Sequence, residues 1–247
     1  MKKYMRTPII AAITLFAGFG LSTSFAGEIR EKPVAVLELF TSQGCSSCPP
    51  ADKILSQYEG RDDIIALAYH VDYWDYIGWK DTFGSEAFSD YQRAYASAQG
   101  KSRIYTPQLM VNGQTDVVGS RSGEVARAVG AARLAVPIDL SADDSMLNVN
   151  IGPFEGASEA IVWLVTFNKR AEVKIERGEN RGSVLPYTQI VTSRQALGMW
   201  SPKDGAHIKL PLHEVLENHK SDGAAIIVQE HRNDLPGVIL GAAAYAS

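Results

Sequence analysis

Cysteine is scarce in this chain of 247 residues. There are two, Cys45 and Cys48. That excludes a small-scaffold design held together by many disulfides, which scatters even numbers of cysteines along the chain. A second absence concerns length of apolar run. After residue 21 no stretch approaches the roughly 20 apolar residues that cross a bilayer core, so the body of the chain is expected not to span a membrane. Basic excess is missing too: 24 Lys and Arg stand against 28 Asp and Glu. A nucleic-acid-binding surface needs the opposite balance, so no nucleic-acid partner is expected. Met-rich and His-rich tracts, internal repeats and low-complexity segments are also absent. The apolar fraction of 45% marks an ordinary globular chain.

The first 26 residues differ from the rest. Lys2, Lys3 and Arg6 make a positive start, Ile9 to Leu21 is almost unbroken apolar sequence, and Ser24-Phe25-Ala26 offers a small-x-small cut site. Together these read as a cleaved secretory leader over residues 1–26, placing the mature protein in the periplasm or outside the cell. No cysteine stands near the cut, which argues against a lipid anchor. Removing the three leader cations leaves 21 basic against 28 acidic side chains, a net charge of −7.

Along residues 27–136 strands and helices alternate. Lys32–Phe40 and Asp63–Val71 read as buried strands, Ala51–Tyr58 and Ser85–Gln99 as helices on their apolar spacing. Pro107–Val111 and Asp116–Val118 flank Asn112-Gly113, a strong hairpin turn. Gly123–Leu134 reads as a closing helix. Strand, helix, strand, helix, strand, strand, helix is the thioredoxin-like order. From residue 137 to 247 the texture becomes short alternating strands between Gly, Asn, Asp and Pro. The expected architecture is therefore an α/β thioredoxin-like domain over 27–136, followed by a mostly β, sandwich-like region over 137–247. The charged segment 176–182 within that region is read as a solvated hairpin tip, with contact to the first domain or to a partner as the alternative.

Chemistry concentrates at Gly44-Cys45-Ser46-Ser47-Cys48. The pair sits between a buried strand and a helix start, where unpaired backbone N–H groups and the positive end of the helix dipole favour a thiolate. A spacing of three lets the second sulfur close a disulfide. By position Cys45 is the attacked sulfur and Cys48 the resolving one. As a mere staple, a four-residue loop contributes only about 2 kcal/mol. Zinc would need four ligands where two cysteines exist. Thr106-Pro107 precedes the third core strand, where a cis proline would face the pair and Thr106 would offer its backbone to a substrate chain. The segment His70–Asp81 follows the second strand. Tyr73, Trp74 and Trp79 are candidates to line a substrate rim or to pack the two regions together. His70 and Asp72 are candidate proton shuttles. The remaining histidines, His207, His213, His219 and His231, form no ligand set by spacing.

The segments ELFTSQGCSSCPPAD, YHVDYWDYIGWKD, YTPQLMVNG, RGENRG and VQ…PGVILGAA resemble the exported thioredoxin-like proteins of Gram-negative bacteria that are classified as a domain of unknown function. The resemblance runs from about Val34 to Ala243. It implies a thioredoxin-like N-terminal domain, Cys45 and Cys48 as a redox pair and Pro107 as a cis proline. The functional expectation is a thiol–disulfide oxidoreductase acting on protein thiols or disulfides. It would need no organic cofactor, and a membrane electron donor is a candidate partner. The alternative is a copper-binding or metal-delivery protein that uses the same thiols, with His70 as an extra ligand, since soft thiolates suit Cu(I).

Overall fold

The computed structural model of the chain describes residues 27–143, 145–217 and 220–247. Residues 1–26, read above as a secretory leader, and His219 lie outside them. The strands are β1 (Glu28–Arg30), β2 (Ala35–Thr41), β3 (Ile64–His70), β4 (Gln108–Val111), β5 (Thr115–Val118), β6 (Ile138–Ala142), β7 (Met146–Ile151), β8 (Ala160–Lys174), β9 (Val184–Trp200), β10 (Ala206–Pro211), β11 (Gly223–Arg232) and β12 (Leu235–Ala246). The helices are α1 (Pro49–Ser56), α2 (Glu86–Ala98), α3 (Ser122–Ala131) and α4 (Leu212–Leu216), with one 3-10 turn at Asp75–Ile77. None of the described helices is long and apolar enough to cross a membrane.

The expectation of a thioredoxin-like α/β domain followed by a separate β region is overturned. The protein is mostly β, 46% strand against 18% helix, and nine strands form one mixed sheet in the order β1-β12-β11-β8-β9-β3-β2-β4-β5. The seam is β3 beside β9, parallel, with Ala68 opposite Ile190. Where the sequence suggests a series of short strands, residues 160–174 form one strand of 15 residues. It pairs along its length with the 17-residue β9. A second, three-stranded sheet, β10-β7-β6, packs on one end of the large one.

Local patterns explain the elements near the seam. All seven residues of β2 and all seven of β3 are buried, as continuous apolar runs covered on both faces should be. On one face Leu37, Leu39, Ala66 and Ala68 meet Ala51 and Leu55 of α1 and Val125 of α3. On the other, Phe40, Leu67 and Tyr69 meet Phe88, Tyr91 and Tyr95 of α2. That second core continues without a break into Val165 of β8, Val191 of β9 and Ile227 of β11. The Asn112-Gly113 turn has positive φ at both residues, 49° and 67°, the backbone of a type I′ turn, in a loop of residues 112–114 that joins β4 to β5.

A buried polar network crosses the same seam. Tyr95 donates to Glu38 Oε2 at 2.6 Å and Tyr91 to Glu38 Oε1 at 3.0 Å. Gln229 Nε2 donates to the Tyr95 hydroxyl at 2.7 Å, and Arg194 donates to Gln229 Oε1 at 2.8 Å. The Arg194 guanidinium lies 3.4 Å from the Trp163 ring centroid and 4.0 Å from that of Tyr91. Burial pushes the Glu38 carboxyl above its usual range, while Tyr95, Arg194 and Tyr91 oppose the shift. Removing one member of such a buried charge set leaves the other uncompensated. Arg194→Ala should therefore destabilise the protein by about 3 kcal/mol in urea unfolding; a loss within experimental error would show that the network does not join the two halves.

Candidate functional site

The candidate site lies where β2 ends and α1 begins. Cys45 and Cys48 form a disulfide with Cα atoms 5.4 Å apart. Cys48 is the N-cap of α1, and Pro49 and Pro50 occupy its first turn, where missing N–H groups cost no helical bond. Both cysteines are buried, Cys45 1% and Cys48 0% exposed, while Ser46 and Ser47 between them are exposed. Cys45 is thus less accessible than its place before the helix suggested.

The β8–β9 hairpin tip, expected to be solvated, reaches back to the cysteine loop. Asn180 Nδ2 donates to the carbonyl oxygens of Gln43 at 2.8 Å and Cys45 at 3.1 Å. Glu179 Oε2 accepts from the Ser46 backbone N–H at 3.3 Å. Gly178 adopts φ +76°, with the Trp79 Cβ 3.3 Å from where its own Cβ would stand.

Beneath the loop, Asp81 joins separate segments. Its Oδ2 accepts from the Gln43 N–H at 2.7 Å and lies 2.9 Å from His70 Nδ1. Its Oδ1 accepts from the Phe83 N–H at 2.9 Å. Burial works against the Asp81 charge, but His70 and these two N–H groups outweigh it and leave the carboxyl below its usual range. The Trp79 indole N–H donates to Gln43 Oε1 at 2.9 Å. The Trp74 indole N–H donates to Thr106 Oγ1 at 2.7 Å, which ties the aromatic segment to the residue before Pro107. The Thr106–Pro107 bond is cis. Tyr73 donates to Gln92 Oε1 at 3.1 Å. Asp72 accepts from the Ser89 hydroxyl at 2.5 Å. Tyr76, 81% exposed, stacks on Trp74 with ring centroids 6.4 Å apart.

The sequence reading missed Asp52. It lies four residues after Cys48, on the same face of α1, and its N–H donates to the Cys48 carbonyl at 3.1 Å. Its side chain is buried near the Thr41 hydroxyl, which favours its charged form, but neither carboxylate oxygen makes a hydrogen bond of normal geometry. The Thr41 hydroxyl, His70 Nε2 and the Tyr187 hydroxyl are likewise buried without partners. Thr41 and His70 are directly paired across β2 and β3, and the rings of His70 and Tyr187 meet edge to face at 4.9 Å. Burial pushes the Asp52 carboxyl up to about 7, against the pull of His70 and Thr41. One sequence signal was available: an aspartate on the buried stripe of a helix, beside Ala51 and Leu55.

Asp52 also lines a cleft of about 920 Å³ between α1 and the β8–β9 ladder, with Lys53, Arg170, Glu172, Pro186 and Tyr187 among its walls. Arg170 is held by Glu59 at 3.1 Å. No group of three or more His, Cys, Asp or Glu side chains among the described residues is arranged to hold a metal ion. The His70 nitrogen nearest an acid is engaged by Asp81 rather than turned to the sulfurs.

The raised Asp52 carboxyl makes stability depend on pH. Between the ordinary aspartate value of 3.8 and about 7, the folded protein keeps a proton that the unfolded chain has released. Folding is thus favoured at low pH, and that contribution is lost as pH rises through 7, up to about 4 kcal/mol. Asp52→Asn should be more stable than the unsubstituted protein at pH 8, with the difference shrinking toward pH 4. Parallel urea-unfolding stabilities across that range would refute the assignment.

The family model described as protein of unknown function (DUF1223) matches residues 36–229. A crystal structure of a protein from Agrobacterium tumefaciens is 32% identical, with a TM-score of 0.78, over 87% of this chain and 95% of that one. A second solved structure, HBP35 of Porphyromonas gingivalis, shares the fold at a TM-score of 0.58 and 12% identity, over 89% of this chain and 76% of that one. A search of curated proteins finds no match. The chain belongs to the DUF1223 family.

Proposed function

We propose that this DUF1223-family protein exchanges disulfides with protein substrates through Cys45 and Cys48, in the periplasm or outside the cell. The observation that carries the reading is a single disulfide at a helix start with a buried acid one turn behind it on the same helix. A structural bridge has no use for that acid, whose burial opposes its ionisation. A thiol that must gain and lose a proton has one.

In this reading a substrate thiolate attacks Cys45 Sγ, the Cys45–Cys48 bond breaks, and Cys48 leaves with the electron pair. The substrate's second thiol, as its thiolate, then displaces Cys45. The substrate becomes a disulfide, and both cysteines are reduced; the reverse sequence reduces a substrate disulfide. The chemistry needs no organic cofactor. Run in the reducing direction it needs a thiol or membrane electron donor to restore the dithiol. Thr106 and the Trp74–Tyr76 stack supply a backbone and an apolar ledge for the substrate chain. Both cysteines are buried, so a substrate must part the loop from its neighbours, among them the hairpin tip that Glu179 and Asn180 bond to the loop backbone.

Roles can be separated by trapping. With Cys48→Ala, Cys45 keeps attacking but nothing resolves the product, so mixed disulfides with periplasmic proteins should accumulate on non-reducing gels. Cys45→Ala should trap few. Equal trapping by the two variants would sink the division of labour.

A further inference from the structure

We infer that Glu179, at the tip of the β8–β9 hairpin, sets the redox poise of the Cys45–Cys48 pair: its carboxylate, bonded to the Ser46 N–H, opposes a thiolate at Cys45 and holds the pair toward the disulfide. The inference rests on the exchange reading above and adds a residue that fixes the balance between its two states. It also gives a reason for a charged tip from the C-terminal half to end on the cysteine loop.

Geometry carries the argument. The tip is an ordered turn: the Gly182 N–H donates to the Ile175 carbonyl at 2.8 Å, the Ser183 N–H to the Asn180 carbonyl at 3.1 Å and the Arg181 N–H to the Gly178 carbonyl at 3.3 Å. Asn180 fixes the turn to the loop through the carbonyls of Gln43 and Cys45. Glu179 is thereby delivered to the amide that directly follows Cys45, with Oε2 3.3 Å from the Ser46 nitrogen. That nitrogen is four covalent bonds from Cys45 Sγ, so standard bond lengths keep the carboxylate oxygen within about 9 Å of the sulfur. The range is about one Debye length at 0.1 M salt. A second contact has the opposite sign. Ser47 Oγ lies 3.4 Å from Cys45 Sγ, and because the sulfur is in a disulfide the hydroxyl is the donor. Ser47 favours negative charge on Cys45, and Glu179 opposes it.

Reduction of the disulfide puts negative charge on Cys45 whenever its thiol ionises. A like charge nearby disfavours that form, and where the thiolate is less stable the dithiol state is less stable relative to the disulfide. Glu179 therefore moves the pair toward the reducing end, where the dithiol gives its electrons to a substrate disulfide. With an effective dielectric between that of water and the value of about 20 found near a protein surface, one charge at this range changes the thiolate ratio by about threefold.

Other charged groups stand around the loop. Asp81, from the segment after β3, receives the Gln43 N–H and is paired with His70. Asp52 lies in the first turn of α1. Arg177 and Arg181 share the tip with Glu179. None of the salt bridges among the described residues ties Glu179 to a cation. Its charge is left to act on the loop whose amide it holds.

The test is an ultraviolet titration of the thiolate in the reduced full mature protein, with the oxidised protein as blank, for the unsubstituted chain and three variants. Glu179→Gln keeps an acceptor for the Ser46 N–H and removes the charge. Its first thiolate, assigned to Cys45, should appear at lower pH, with about threefold more of it on the rising limb at low salt. Glu179→Lys should move the titration further in the same direction, and Glu179→Asp should stay near the unsubstituted protein. The Glu179→Gln shift should shrink as the Debye length falls from about 30 Å at 0.01 M to about 3 Å at 1 M salt; a purely structural role would show no such screening. In glutathione buffers above the titration midpoint, Glu179→Gln should favour the dithiol by the same factor. An unchanged titration in the Gln and Lys variants, or a shift indifferent to salt, would overturn the role of Glu179 while leaving thiol exchange intact. A pair that does not exchange with glutathione in the folded, unsubstituted protein would overturn both.

Discussion

The Asp81 carboxylate is the constraint on which the rest of the site depends. One oxygen receives the Gln43 N–H and faces His70 Nδ1, and the other receives the Phe83 N–H. The partners lie 38 and 11 residues before Asp81 and two after it, and all three meet on its two carboxylate oxygens. The Gln43 bond sets where the cysteine loop leaves β2. The His70 contact orients the imidazole at the end of β3, where its other nitrogen is buried without a hydrogen-bond partner. The Phe83 bond shapes the loop that returns to α2. A buried charge is costly unless it is hydrogen-bonded, and these partners are what make Asp81 tolerable at 2% exposure.

The single nine-stranded sheet explains how a C-terminal half of plain β sequence enters the chemistry. Because β9 runs beside β3, its residue Tyr187 reaches His70. The tip of the β8–β9 hairpin then overshoots the sheet edge and lands on the cysteine loop. The same strands form the far wall of the cleft against α1. Residues from both halves thus meet at the cysteine loop and line the cleft beside α1. The network from Glu38 through the two tyrosines to Gln229 and Arg194 fixes the halves to each other on the opposite face of the sheet.

Much of the first half was legible in sequence, since its periods are short-range. The runs 35–41 and 64–70, the helix beginning at the cysteines and the Asn112-Gly113 turn all lie within a residue or a few of their expected places. Register between distant strands has no such local signature. Nothing in Val184–Trp200 says that it will lie beside Ala68, and so a continuous sheet was read as two regions. The length of β8 was hidden because its far end, Asn168 to Lys174, is polar and half exposed. At the site, the cysteine pair and Pro107 were legible from motif and order. Asp52 was not, because in ADKILSQ it reads as an ordinary first-turn acid. Only the packing of α1 onto β3 and β9 turns it inward. Asp81 closed the aromatic motif in plain view, yet its pairing with His70, eleven residues earlier, depends on the fold of the intervening loop.

The central claim is that Cys45 and Cys48 are a working redox pair, and equilibration of the mature protein with glutathione buffers tests it most directly. The account predicts a reversible two-electron equilibrium. The same midpoint should be reached from the oxidised and the reduced protein, with a tenfold change in the equilibrium ratio for each step of about 30 mV. A pair that stays fully oxidised in the folded protein across every glutathione ratio would contradict it and leave the disulfide as a structural bridge.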